Sequence, residues 1–251
     1  MELLVYKKVG ETTAELSRRV KQENGARKVA ICGKLDPMAR GLTRVLTDEK
    51  TKLMSIYLTN NKTYEFKLVF DIKTDTDDIM GRITSYNHSQ ETLGRITEYK
   101  SYINEICQYE EQHFHPFSAI KLTIDGKRQS LHQWTKERNM NLTNLPKKKV
   151  TVLEKEIGDI QTINFASYKS NIDDRLSKIS TSHKSTFRVH EIQNCWNEFV
   201  GISGSMDMKH LVILPIKLRV SSGFYIRMLP YYLKEIYDVN SHIYDIHRTH
   251  C

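Results

Sequence analysis

Gly33-Lys-Leu-Asp36-Pro37-Met-Ala-Arg-Gly41-Leu42 is the stretch on which the reading of this chain turns. A proline after Asp36 pushes the aspartate backbone away from the helical region. Gly33 and Gly41 on either side permit tight turns and close backbone approach. In isolation the tripeptide Leu35-Asp36-Pro37 also suits an ordinary turn in which Asp36 caps a following helix.

Outward from this segment the chain reads as α+β. Thr12-Thr13-Ala14-Glu15 forms a capping box ahead of Leu16 and Val20, with Gly25 closing the helix. Residues 28–33 read as a short segment leading into the Asp36 loop, and residues 41–53 as a second helix. Tyr64, Phe66, Leu68 and Phe70 alternate with Thr63, Glu65, Lys67 and Val69, the pattern of a strand with one buried face. Residues 71–78 are acidic and turn-like up to Gly81, and Asp75, Asp77 and Asp78 read as turn chemistry. Residues 118–124, 150–157 and 213–220 are further strand candidates. Residues 171–184 are polar and read as an insertion or exposed loop. Strands and helices mix without a βαβ rhythm, so a single α+β domain over residues 1–251 is the simplest organisation.

Composition bounds the function. The 251 residues carry 38 Lys+Arg against 30 Asp+Glu, a net charge of +8 at neutral pH. Such a field attracts a polyphosphate backbone, which points to nucleic acid without naming a reaction. The longest apolar run, residues 211–216, is far too short to span a bilayer. No signal peptide is visible at the start. Cys32, Cys107, Cys195 and Cys251 are scattered without a CxxC pair, which fits a reducing, cytoplasmic setting. His242, His247, His250 and Cys251 crowd the end of the chain, but a mobile terminal thiol makes a poor zinc ligand, so no metal is expected. Lys147-Lys148-Lys149 suits either a solvated face or a phosphate contact.

Residues 33–42 resemble the GTLDPxAxGLL motif of the TruB family of pseudouridine synthases, and six further segments resemble that family's motifs in order. Lys7-Lys-Val-Gly10-Glu-Thr12-Thr13 is similar to KPxGxTS, and Lys62-Thr-Tyr64-Glu65 to KTYE. Thr74-Asp75-Thr76-Asp77-Asp78 with Gly81 is similar to TDTxDxxG. Gln112 with Phe117-Ser118-Ala119-Ile120-Lys121 is similar to QxPPxYSAxK, and Gly126-Lys127 follows it. Ser221-Ser-Gly223-Phe-Tyr225-Ile226-Arg227 resembles SxGTYIRxL, and Ile246-His-Arg248-Thr249 resembles LRRTR.

The resemblance implies a bent, mostly antiparallel central sheet flanked by helices, with the cleft across its middle. Asp36 would be the nucleophile, Tyr64 would lie against the target uracil, and Arg227 would pair with Asp36. Lys7, Gly10, Gly33, Ser118, Lys121, Tyr225 and Ile226 would serve substrate binding. His113 and His115 would line or edge the RNA cleft. The reaction breaks a C–N glycosidic bond, turns the base and forms a C–C bond at the same ribose carbon. It is redox-neutral and consumes no water, so no cofactor is implied. The implied substrate is the T stem-loop of tRNA. The implied enzyme is a stand-alone monomer with no obligatory protein partner, no guide RNA and no C-terminal PUA domain. A segment near 122–145 would close over the RNA.

The departures are specific. The family's Gly-His-Thr-Gly lead-in is here Ala30-Ile31-Cys32-Gly33, so the histidine that holds the flipped nucleotide is Ile31. Lys8 stands for the proline of the first motif, and Phe117 for a tyrosine. Two other readings remain beside the first: an RNA-binding or RNA-folding protein with weak or lost catalysis, and a synthase acting on T-arm-like mRNA sites.

Overall fold

The computed structural model describes the chain except for residues 88–89, 139–144 and 206–208, together with the side chains of 90–91 and 203–205. The frame is a mixed, mostly antiparallel sheet in the order β1-β3-β14-β4-β13-β11, with β2 also on β3 and β12 also on β13. Its strands are β1 (Glu2–Lys7), β2 (Val29–Cys32), β3 (Arg40–Thr47), β4 (Lys62–Phe70), β11 (Val152–Ile157), β12 (Gln161–Asn164), β13 (His210–Val220) and β14 (Ser241–His250). Strands β14 and β3 pair in parallel, His247 beside Arg40 and Arg248 beside Gly41, which sets the last strand against the Asp36 loop.

Strand β4 shows why the sheet is a layer between two cores. Tyr64, Phe66, Leu68 and Phe70 pack with helices α3 (Gln90–Ile106) and α7 (Met228–Tyr237), while Val69 on the opposite pleat packs under α5 (Phe165–Ser177) and α6 (Val189–Ser205). Helix α1 (Thr13–Asn24) begins with both halves of the expected capping box and ends at Gly25 in the left-handed region. Its Leu16 and Val20 form a third, smaller core with Val45.

Two expectations fail, for identifiable reasons. Residues 41–53 are not a helix: β3 runs to Thr47, followed by a 3-10 segment (Asp48–Leu53) and the short helix α2 (Met54–Leu58). Gly41, Thr43, Val45 and Thr47 are all buried, a period-2 pattern that β-branched residues favour. Residues 171–184 are not an exposed loop. Phe165, Tyr168, Ile172 and Leu176 place one apolar stripe of α5 against the sheet, and Ile179 extends it. Their polar neighbours form the outer face, where Lys169–Asp173 and Lys178–Asp174 pair one turn apart. Elsewhere the strand forecasts hold with shifted ends. The acidic stretch contributes β5 (Ile72–Thr74), paired with β6 (Ile83–Tyr86).

The segment 122–145 is an ordered unit rather than an irregular loop over its described part. Strands β8 (Lys121–Ile124) and β9 (Lys127–Ser130) form a hairpin leading into α4 (Leu131–Arg138). Leu131, Trp134 and Leu145 give it a core of its own, which Phe114, Ile120 and Leu122 cover. It is tied back by β10 (Lys147–Lys149) pairing with β7 (Glu111–His113). Among the described residues no helix is long and apolar enough to cross a membrane.

Candidate active site

The Asp36 loop is held from behind. Lys7 is fully buried, and its Nζ donates to the carbonyls of Lys8, Pro37 and Ala39 at 3.0, 3.1 and 2.7 Å. Burial pulls the Lys7 pKa down to about 8, against the pull of Asp36. Gly10 donates its N–H to the Pro37 carbonyl at 2.9 Å. Its φ is +81°, and a Cβ there would stand 2.5 Å from the Lys178 carbonyl oxygen. Both residues therefore shape the loop rather than line the cavity in front of it.

Arg227 arrives from the other end of the chain, at the start of α7, and is almost wholly buried. Its Nε donates to Asp36 Oδ2 at 2.9 Å, its Nη1 to the Thr76 carbonyl at 3.0 Å, and its Nη2 to the Phe117 carbonyl at 3.2 Å. A second carboxylate oxygen, Asp78 Oδ2, lies 3.7 Å from Nε. Burial works against the Arg227 charge, but Asp36, Asp78 and Asp77 outweigh it and raise its pKa. The Asp36 side chain is 43% exposed while that of Arg227 is 5% exposed, so a ligand reaches the carboxylate and not its partner.

His115 supports this pair. The Phe117 N–H donates to its Nδ1 at 3.1 Å and Arg227 Nη1 approaches the same atom at 3.3 Å. With Nδ1 accepting, Nε2 carries the proton and donates to Asp77 Oδ2 at 2.9 Å. Burial, reinforced by Arg227, lowers its pKa to about 4, so the ring is neutral. His115 thus orients Arg227 from inside the protein and does not edge the cleft.

The aspartates read as turn chemistry do more than close a turn. Asp77 holds His115 and Lys73, Asp75 pairs with Arg188 at 2.9 Å, and Asp78 sits beside the Asp36–Arg227 pair. Burial raises the Asp78 pKa to about 6 despite Arg227, and Asp36 adds to the rise. Thr76 Oγ1 and the Met80 N–H hold its Oδ1 at 2.6 and 2.9 Å.

Two cavities meet at Asp36. The larger, of about 610 Å³, is walled by Tyr64, Ser118, Tyr225, Ile226 and Gly33 around the Asp36–Arg227 pair, with Ile31 on its side. Ser118 Oγ is buried there beside Tyr225, whose phenol interacts with it. Burial raises the Tyr64 pKa, so its phenol stays protonated. The smaller cavity, of about 300 Å³, is walled by Phe117, His132, Lys136 and Arg188. His132 and Lys136 belong to α4, so the ordered segment forms one side of the opening. Phe117 lies in a motif, and His132 and Lys136 in the segment expected near the RNA. Arg188, its guanidinium 5.8 Å from the Phe117 ring centroid, is the wall that sequence reasoning missed, because residues so far apart carry no spacing signal. Lys121 lies exposed on β8 and lines neither cavity. A separate groove, of about 340 Å³, contains Glu65 and Lys67 from the opposite pleat of β4 but neither Asp36 nor Arg227.

Residues 19–173 match the family model described as "TruB family pseudouridylate synthase (N terminal domain)". The chain is 29% identical over 204 residues to tRNA pseudouridine synthase B of Corynebacterium jeikeium, covering 81% of this chain and 63% of that one. Against the protein of the same name from Aquifex aeolicus it is 34% identical over 126 residues, 50% of this chain and 42% of that one. The matches thus span less than two thirds of these relatives. Among solved structures, a chain in the crystal structure of a Cbf5-Nop10-Gar1 complex superposes over 99% of this chain and 47% of its own, with TM-score 0.52 and 13% identity. That likeness is one of fold. The ordered motifs, the family match over more than half of the chain and the pseudouridine synthase fold lead to one conclusion: the chain belongs to the TruB family of pseudouridylate synthases.

Proposed function

We propose that this protein isomerises a uridine in the T loop of tRNA to pseudouridine, with Asp36 attacking or electrostatically stabilising the ribose carbon. The observation that carries the reading is Asp36 itself, a half-exposed carboxylate held by a buried, permanently charged Arg227 at the meeting point of two cavities. Arg227 holds one carboxylate oxygen of Asp36 and leaves the side chain open to the cavities, the placement that a carboxylate nucleophile needs. The C1′–N1 bond breaks, the uracil turns, C1′ bonds to C5, and the C5 proton leaves as N1 gains one. Tyr64 offers an aromatic face for the uracil and a protonated phenol. Ser118 Oγ offers the base edge a hydrogen-bond partner. Tyr225 and Ile226 shape the remaining wall.

A base has to leave its stack to reach Asp36, at a cost of a few kcal/mol, roughly, which stacking on an aromatic side chain offsets by about 1–3 kcal/mol. Loop nucleotides meet that cost more easily than paired ones. The homologues named tRNA pseudouridine synthase B support tRNA as the RNA class. Action without a guide RNA or protein partner is part of the same proposal. Release of tritium from RNA labelled at uracil C5 tests the reading. The wild-type chain alone is expected to release label from one T-loop uridine, and Asp36→Asn to release none while binding the RNA within about tenfold of wild type, since phosphate contacts dominate affinity. Wild-type turnover by Asp36→Asn refutes the nucleophile.

A further inference from the structure

The larger cavity carries positive charge that the Asp36–Arg227 pair does not use. Lys34, Lys62, Lys148 and Arg248 also line it, and among its lining residues Asp36 is the one carboxylate. Arg248 is fully buried and donates to the Leu42 carbonyl at 2.6 Å, the Gly33 carbonyl at 3.1 Å and Thr43 Oγ1 at 2.8 Å. These acceptors are neutral, so its charge stands uncancelled. Lys62 lies beside it: a methyl on Gly33 would sit 3.0 Å from Lys62 Cε and 3.5 Å from Arg248 Nη1. Lys62 Nζ donates to the Asn60 carbonyl at 2.6 Å, again a neutral partner.

Lys148 reaches the same wall from β10. Its ammonium lies over Gly223, where any side chain would collide with it. Its strand is fixed by register with Gln112, whose side chain clamps the Tyr225 backbone at 2.7 and 3.2 Å. Among the described residues no hydrogen bond or carboxylate holds Lys148 Nζ. Burial lowers the Lys62 pKa to about 8, with Arg248 and Lys148 pressing the same way, so the three cations repel one another across this wall. A fold that gathers such charge leaves it for an incoming anion. Uracil is neutral, and the nearest anion on the substrate is a phosphodiester flanking the target nucleotide.

We propose that Lys62 and Lys148, backed by Arg248, hold a backbone phosphodiester adjacent to the uridine presented to Asp36. The inference rests on the RNA-modifying reading above and deepens it. Ile31 lines this same cavity, so charge supplies grip where the family motif has a histidine.

The test measures binding of a fluorescent T stem-loop RNA by anisotropy, with Asp36→Asn as background to stop turnover, between about 50 and 200 mM salt. Adding Lys148→Gln, an exposed position whose change leaves the fold intact, is expected to weaken binding roughly three- to tenfold at the low end and to lower the salt slope by about one phosphate contact. An RNA with a neutral methylphosphonate at one of the two phosphates flanking the target is expected to bind both proteins alike. A salt slope unchanged by Lys148→Gln, or losses that multiply with methylphosphonate at both positions, overturns the proposal. Inorganic phosphate alone, in a thermal-shift series, forms a separate arm. Stabilisation that depends on Lys148, with no change in the RNA salt slope, assigns the site to free phosphate and also overturns it. If the Lys148-intact protein does not bind the stem-loop at all, the functional reading falls and this inference with it. If the wild-type chain binds and isomerises the RNA while the slope stays unchanged, this inference alone falls.

Discussion

Changing Asp78 to Asn is expected to make the protein more sensitive to acid, and the magnitude follows from three buried groups. His115 and His242 are both fully buried and neutral, with pKa values lowered by burial from 6.5 to about 4. His242 is held by the Ile72 carbonyl at 2.7 Å and by the Tyr168 hydroxyl. A histidine whose folded pKa is depressed contributes stability that is fully present above 6.5 and is lost as pH falls toward the folded value. Between pH 7 and 4 each costs roughly 3 kcal/mol. Asp78 acts with the opposite sign. Its carboxyl is raised from 3.8 to about 6, so its stabilisation is fully present below 3.8 and is lost as pH rises through about 6. Over the same descent in pH it returns roughly 2 kcal/mol. From these three groups the wild type should lose about 4 kcal/mol between pH 7 and 4 and Asp78→Asn about 6, on top of the losses from other titrating groups that the two proteins share. Asparagine keeps the acceptor that Thr76 Oγ1 and the Met80 N–H use, so the substitution removes the titration with little change in packing. Urea unfolding followed by tryptophan fluorescence reads the difference, because Trp134 and Trp196 are both buried and Trp196 lies 5.9 Å from the His242 ring. Parallel stability–pH curves for the two proteins would refute the reasoning.

Gly10→Ala is expected to lose about 1–3 kcal/mol of stability through its left-handed backbone, and more through the approach to the Lys178 carbonyl. Because Gly10 holds Pro37, its turnover at saturating RNA should fall as well, which urea unfolding and single-turnover kinetics on the same preparation check. Ile31→His is expected to tighten binding of an isolated T stem-loop by up to about tenfold if the ring gains one hydrogen bond to the RNA. It should also lose about 1 kcal/mol or more of stability, because Ile31 packs against the Leu16–Val20–Val45 core. Unchanged affinity together with unchanged stability counts against both parts.

Local chemistry was legible along the chain where neighbours in sequence decide it. The Thr12 capping box and the glycine at position 25 are read within a few residues and the structure keeps both, while the alternation of β4 holds up to Leu68 and gives way at Val69, which a second core buries. The motifs around Asp36, Tyr64 and Arg227 likewise named residues that end in one cavity, although Asp36 and Arg227 lie 191 positions apart. Residues 41–53 and 171–184 went the other way, because a polar or mixed stretch shows its buried face only once a sheet or a neighbouring core is there to receive it. Tertiary structure alone decided which charges are cancelled. Asp78, His115, Lys62 and Arg248 are ordinary polar residues in one dimension. Burial in a poorly screening interior, beside partners brought from distant strands, turns them into a coupled electrostatic system around Asp36.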